Sequence, residues 1–362
     1  MSMQYRTLGR TGLKVSAITM GTFTFGGQGA FANAASQGVA EARDLVDVCL
    51  SHGVNLFDTA NMYSLGLSEE ILGEVLHGRD VDAMVTSKAR MPIGEGVNDQ
   101  GTSRWHLIRE CERSLKRLKR DHIDIYYMHE WDGLTAVEET MAALDTLVRD
   151  GKVRYVGCSN YSAWHVMKSL AAADAMGGTR FATQQIHYTL EAREAEYELL
   201  PLSVAEDLGV LVWSPLAAGL LSGKHQRGQD TPTESRQASG WDEPPIRDKE
   251  RLWKIVDALN VIANNRGVSV AQVSLAWLLT RPAIASLVVG GRNTQQFEDN
   301  LKAPELVLDE QELQSLNDAS RLPLIYPYWH QHNFALPRFN KADRALHDSY
   351  PDRHYGGEDS LT

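Results

Sequence analysis

Between Gly53 and Tyr63 the chain reads GVNLFDTANMY, an apolar β-type run that delivers Asp58 and, five residues later, a tyrosine. Two further β-type runs end on ionisable side chains: AMVTSKA carries Lys88, and IDIYYMH closes on His129. Together Asp58, Tyr63, Lys88 and His129 form a proton-transfer set. A free phenol has a pKa near ~10, so Tyr63 exchanges protons near neutrality only if a cation stabilises its phenolate. Lys88 supplies that cation, Asp58 holds it charged and oriented, and His129 can hydrogen-bond a carbonyl or hydroxyl oxygen from the other side. Two unit charges about 4 Å apart are worth roughly 4 kcal/mol at an effective dielectric near 20, or roughly three pKa units. The expectation is a Tyr63 pKa drawn down by Lys88, with desolvation opposing. Singly, each residue is bland: a turn aspartate, a surface lysine, a core histidine. The combination points to reversible carbonyl reduction with no metal.

Placing these groups on one face requires a particular scaffold. After an N-terminal hairpin, QYRTLG turning into LKVSA, eight apolar runs alternate with eight helical patterns, beginning at VSAITMG and ending at SLVVGG with NTQQFEDNLKA. Strands buried on both faces read as continuous apolar runs, and strand–helix alternation implies a parallel sheet. The predicted fold is a (β/α)8 barrel, whose strand exits share one rim where βα-loops build active sites. Two extra helices are predicted, at VSVAQVSLAWLLTR before the last strand and at DEQELQSLNDAS after the last pair. Residues 1–320 make the barrel and 321–362 a tail of the same domain. The stretch from Ala217 to about Arg247 is rich in Gly, Gln, Ser, Thr and Pro, and a loop of that length reads as a cover over the cofactor. The tail carries LPLIYPYWHQHNF, aromatic but without helical or strand period. Its Tyr326 and Trp329, with Trp131 and Phe23, are candidate walls of a substrate pocket; packing on the barrel's outside or on another subunit is the alternative. Phe25 is a further candidate wall, and the last dozen residues are expected to fray.

Composition narrows the function classes. With 362 residues, 43% hydrophobic and 23% charged, the chain is ordinary globular protein. Its net charge of −11 argues against nucleic acid; the one basic run, KRLKRDH, reads as a solvated helix face. No stretch approaches the roughly 18 apolar residues of a membrane span, and the N-terminus lacks a signal core. Three cysteines without metal-type spacing suit a reducing compartment, so a cytoplasmic location is expected. TFGGQG is no dinucleotide fingerprint, since no helix opens there.

The motifs GVNLFDTANMYSLGLSEEILG, VTSKAR, YYMHEWD, VRYVGCSNYS, WSPLAAGLLSGK and VVGGRNTQQFEDN occur in the order and at the spacing of the aldo-keto reductases, which the chain resembles from about Gln4 to about Asp318. The resemblance implies an NADP(H)-dependent reductase of an aldehyde or ketone, reversible toward a secondary alcohol, with Tyr63 as general acid. It implies Ser159, Asn160 and Gln185 on the nicotinamide carboxamide, with Gln184 as the register alternative. It stacks Trp213 on the nicotinamide and sets Ser214, Pro215, Leu216, Gly219, Ser222 and Lys224 along the pyrophosphate. Gly21, Thr22 and Gln28 line the pocket at the first strand exit. Gly290 and Arg292 lie at the 2′-phosphate, where an anion also meets a glycine-led helix start, with Gln296 and Asn300 near the adenosine. Many members carry a lysine where this chain has Gly290, implying modest discrimination against NAD. The competing reading is a cofactor-binding regulatory subunit of the potassium-channel β type, which generally lacks a histidine at the place of His129. Neither substrate identity nor oligomeric state is set by the sequence.

Overall fold

The computed structural model describes residues 3–79, 81–228, 230, 232, 236–239, 243–291 and 293–350. Among the described residues ten strands are present: β1 (Tyr5–Thr7), β2 (Lys14–Ser16), β3 (Ile18–Gly21), β4 (Leu56–Asp58), β5 (Met84–Ala89), β6 (Ile123–Met128), β7 (Val153–Ser159), β8 (Thr183–His187), β9 (Gly209–Trp213) and β10 (Ile284–Val289). The α-helices among the described residues are α1 (Val39–Ser51), α2 (Leu67–Leu76), α3 (Arg104–Leu118), α4 (Val137–Arg149), α5 (Ala163–Met176), α6 (Leu199–Ala205), α7 (Lys249–Arg266), α8 (Val270–Leu279), α9 (Thr294–Asn300), α10 (Glu310–Ser320), α11 (Tyr328–Phe334) and α12 (Lys341–His347). Strands β3 to β10 pair in parallel and close into a barrel in the order β10-β3-β4-β5-β6-β7-β8-β9. This is the predicted (β/α)8 architecture, with α7 and α8 both inserted between β9 and β10. The first apolar run divides: Lys14–Ser16 pairs antiparallel with β1, and only Ile18–Gly21 enters the barrel.

Successive side chains of a strand point to opposite faces. Leu56, Met84, Ile125, Tyr127, Leu211 and Ala285 therefore fill the barrel interior, joined by Leu8 and Val15 of the hairpin, which closes one end. A side chain at Gly157 would meet the Tyr127 ring at 2.5 Å, so only glycine lets that ring lie across the barrel. The outward residues join the larger core under the helices. Helix starts are capped by side chains the sequence supplies: Ser103, Asp248, Ser269 and Asp309 each accept a backbone N–H of the first turn.

The tail is helical, contrary to expectation, because its apolar groups meet a surface rather than each other. Tyr328 stacks on Tyr197 at 5.5 Å and donates to Glu198; Arg281 donates to Ser349, and Tyr350 donates to the Leu322 carbonyl. Buried His332 and His347 share a 3.2 Å hydrogen bond between Nδ1 atoms. The residues 351–362, expected to fray, lie outside the described residues.

Candidate active site

The two-residue period that fills the barrel also selects its rim. Asp58 is two residues past Leu56, Thr86 and Lys88 continue Met84, and His129 follows Ile125 and Tyr127, so one inner face carries them all. Lys88 is fully buried, with Nζ 2.6 Å from Asp58 Oδ2, 2.8 Å from the Thr59 carbonyl and 3.5 Å from the Tyr63 hydroxyl. Tyr63 reaches in from the loop after β4. Ser64 and Leu65, both at positive φ, turn that loop back, and Asn61 ties it to Glu110 of α3 at 3.2 Å. The neighbouring Ser87, facing outward, donates to Glu69 of α2, which Arg117 of α3 holds at 2.6 Å. The Tyr63 loop and the lysine strand are thus fastened from behind by α2 and α3.

Electrostatics corrects one expectation. Burial, the largest influence, raises the Tyr63 phenol and Asp58 adds to the rise; Lys88 and a second cation, Arg236, oppose it, and the pKa stays above its usual value. Tyr63 is thereby held as a neutral phenol. For Lys88, burial lowers the pKa, but Asp58 and Tyr63 together outweigh it and the ammonium stays charged. His129 falls well below the usual imidazole value, first through burial and then through Lys88 and Arg90, so it is a neutral hydrogen-bonding group. Its ring lies edge-on to Tyr63 at 5.7 Å, and its buried Nδ1 has no hydrogen-bond partner among the described residues.

Around this set stand the residues assigned to the cofactor. Gln185 faces inward and donates to Asp58 Oδ1 at 2.8 Å, whereas the pleat turns Gln184 outward to Ser203 and Leu199 of α6. Ser159 is buried at the end of β7. Asn160, at positive φ, donates to the His129 carbonyl at 3.1 Å and accepts from the Trp213 indole at 2.9 Å, fixing that ring at the end of β9. From Ser214 the chain passes through Pro215 and Leu216 into a tight turn in which Ser214, Ala217 and Ala218 all take left-handed conformations. Such backbone costs about 1–3 kcal/mol per residue and gathers at functional sites. Gly219 leaves open space on its side-chain side, Ser222 donates to its carbonyl, and Lys224 follows exposed. At the first strand exit, Gly21 lies against Val288 and Thr22 donates to Ser68 or the Asp58 carbonyl, both deeply buried, while Gln28 is exposed. Asn300 is buried and Gln296 half-buried on α9; Arg292 lies outside the described residues.

The apolar walls differ from those expected. Phe23 and Phe31 meet the Tyr63 ring edge-on at 5.4 and 5.6 Å, whereas Phe25 is fully buried in the main core. Phe31 escaped the sequence reading because it sits in a polar, alanine-rich loop without periodicity. Arg236 was missed for the same reason. It belongs to the long loop, yet lies 5.0 Å from the Phe23 ring and beside Gly290, so part of that loop stands next to Phe23 and the end of β10. Trp131 stacks on His165 at 3.9 Å beside Tyr161 and Trp164. Tyr326 and Trp329 pair with each other on the tail, 74% and 44% exposed. None of the contacts described joins them to Phe23, Tyr63 or Trp131; the tail rests on α6 and the chain before it instead.

A closed parallel barrel with an Asp–Lys–Tyr–His set at its strand exits defines a class of enzyme, and the comparison with known sequences agrees: a profile of the aldo/keto reductase family matches residues 17–321, and the chain belongs to that family. An uncharacterized oxidoreductase of Bacillus subtilis is 36% identical over 327 residues, covering 87% of this chain and 95% of that protein. A probable voltage-gated potassium channel β subunit of Arabidopsis thaliana is 35% identical over 312 residues, 84% of this chain and 92% of that protein. The norsolorinic acid reductase of Aspergillus flavus is 31% identical over 325 residues, 87% and 80% respectively. The protein is an oxidoreductase of a family that reduces carbonyl groups and generally uses a nicotinamide cofactor. Among the described residues no helix is long and apolar enough to cross a membrane.

Proposed function

We propose that this protein reduces an aldehyde or ketone with NADPH, Tyr63 being the general acid. The observation that carries the reading is the chain of contacts from Asp58 through Lys88 to the Tyr63 hydroxyl, with a neutral imidazole beside it. The residues present fit a nicotinamide cofactor. Trp213 offers a flat face locked by Asn160, Gln185 has an amide oxygen suited to a carboxamide NH2, and the left-handed turn from Ser214 to Gly219 opens beside them. When bound, the reduced nicotinamide supplies the hydride. The chain's own groups do the rest. Tyr63 gives its proton to the carbonyl oxygen, Lys88 stabilises the phenolate left behind, and neutral His129 donates a hydrogen bond to the same oxygen. Phe23 and Phe31 exclude water from the Tyr63 side. Arg236 and Arg292 are proposed to favour the phosphates, and Asp58 to keep Lys88 oriented. Three buried free cysteines accord with a reducing, cytoplasmic setting.

Tyr63→Phe tests the assignment. Loss of general acid catalysis costs about 10²- to 10⁴-fold in turnover, with cofactor affinity nearly intact. A variant that keeps more than half of wild-type turnover, with chemistry limiting the rate, removes Tyr63 from this role. The second reading, a regulatory subunit, draws on the channel β-subunit relatives at 35–36% identity. A panel of aldehydes and ketones followed by NADPH consumption separates the two: turnover supports the reductase, and tight cofactor binding without turnover supports the subunit.

A further inference from the structure

Asp58 is held by more than its lysine. Its Oδ2 meets Lys88 at 2.6 Å, while Oδ1 accepts two further hydrogen bonds, from the Thr86 hydroxyl at 2.5 Å and from Gln185 Nε2 at 2.8 Å. All four side chains are almost wholly buried. Thr86 lies two residues before Lys88 on β5, on the same inner face, and opposite Asp58 in the β4–β5 register. We propose that Thr86 is a positioning residue for proton transfer: with Gln185 it fastens Asp58 Oδ1, so that Oδ2 points at Lys88 and the ammonium is left facing the Tyr63 hydroxyl. The role rests on Tyr63 being the proton donor.

The physical reason is a balance of opposite charges on one phenol. Lys88 and Arg236 favour the Tyr63 phenolate, whereas Asp58 and burial disfavour it, and His129 beside it is neutral. Tyr127, the other titratable group facing Asp58 from β6, stays a neutral phenol because burial drives its pKa well up. A carboxylate whose second oxygen is bound by two N–H or O–H donors has part of its charge neutralised at a distance from Tyr63. Removing the Thr86 hydroxyl frees that charge while the Oδ2–Lys88 contact stays in place. Lys88 is then more fully compensated, and the phenolate loses support. The sign follows. Reduction needs protonated Tyr63 and is lost as pH rises through its pKa, so a higher pKa moves the alkaline limb of the reduction profile upward. Alcohol oxidation, which needs the phenolate, slows at fixed pH.

Thr86→Val keeps the side-chain volume and deletes the donor; Thr86→Ser restores it. The expected result for Thr86→Val is a fall in kcat of about 10- to 150-fold, the range one charge-assisted hydrogen bond carries, with KM for the carbonyl little changed. The alkaline limb moves to higher pH, and Thr86→Ser returns both to wild type. A wild-type kcat and limb in Thr86→Val overturns the proposal. So does a loss of kcat with an unmoved limb that serine does not rescue, since that is what packing alone produces. If Thr86→Val does not fold, Thr86→Cys, whose thiol is a weak donor, takes its place under the same criteria. Ultraviolet titration of the cofactor-free protein, with Tyr63→Phe subtracted, reads the Tyr63 phenol directly. It decides the role of Thr86 even if no carbonyl is reduced, an outcome that would count against the proposed function alone.

Discussion

His129 illustrates how a single side chain's chemistry depends on what surrounds it. At a strand end an imidazole with an ordinary pKa near ~6.5 would be half-protonated in mildly acidic solution. Here burial, with Lys88 and Arg90 nearby, pushes that pKa far down, and the ring stays neutral. Two consequences follow. The profile of kcat/KM for reduction should show no acid limb near pH 6.5 from this residue, and His129→Gln, which keeps a neutral donor, should lose only about 10- to 100-fold. Stability moves with the same sign: because the folded pKa lies below the unfolded one, the unfolded chain takes up the proton first. The neutral ring therefore costs stability only as pH falls below ~6.5. An acid limb at pH 6.5 in wild type that disappears in His129→Gln would mean that the imidazolium is the working form.

Among the elements, the helices behind the barrel and the helices of the tail differ in what they do for the site. Helices α2 and α3 hold the Tyr63 loop and the Lys88 strand through Asn61–Glu110 and Ser87–Glu69, buried bonds whose partners lie far apart in sequence. Helices α11 and α12 contribute to stability. Tyr328 covers Tyr197, and Arg281 ties the chain between α8 and β10 to Ser349. Ending the chain before Leu322 uncovers α6, so the melting temperature should fall by several degrees while substrate preference is unchanged. Thermal denaturation and a substrate panel on the truncated protein check this. A raised KM for bulky ketones at an unchanged melting temperature would return Tyr326 and Trp329 to the pocket.

For the whole molecule, ligand binding and folding are coupled, because the proposed cofactor surface is assembled from β7, β8, β9 and the long loop together. A cofactor at a hundred times its Kd stabilises the folded state by about 2.7 kcal/mol, so NADPH should raise the melting temperature. The comparison with NADH at equal concentration measures the preference, which Arg236→Ala should narrow; an equal shift for both cofactors in wild type places the 2′-phosphate away from any charged group. The barrel, its inserted helices and the meeting of Asp58, Tyr63, Lys88 and His129 at one rim were legible in the sequence because they rest on local signals: apolar runs of strand length, helical periods and charged strand ends. The pleat then follows from alternation alone, which is why Asp58, Lys88 and His129 could be assigned before any contact was known. Other features depended on tertiary packing. Whether Gln184 or Gln185 faces inward, which phenylalanine walls Tyr63, and that Arg236 reaches Phe23 are decided by segments meeting across long sequence separations. The tail became helical for the same reason: its aromatic groups find Tyr197 and α6, a surface that exists only once the barrel has closed. The balance on Tyr63 is likewise a property of the folded state, because desolvation, the largest influence on that phenol, depends on how completely the surrounding chain excludes water.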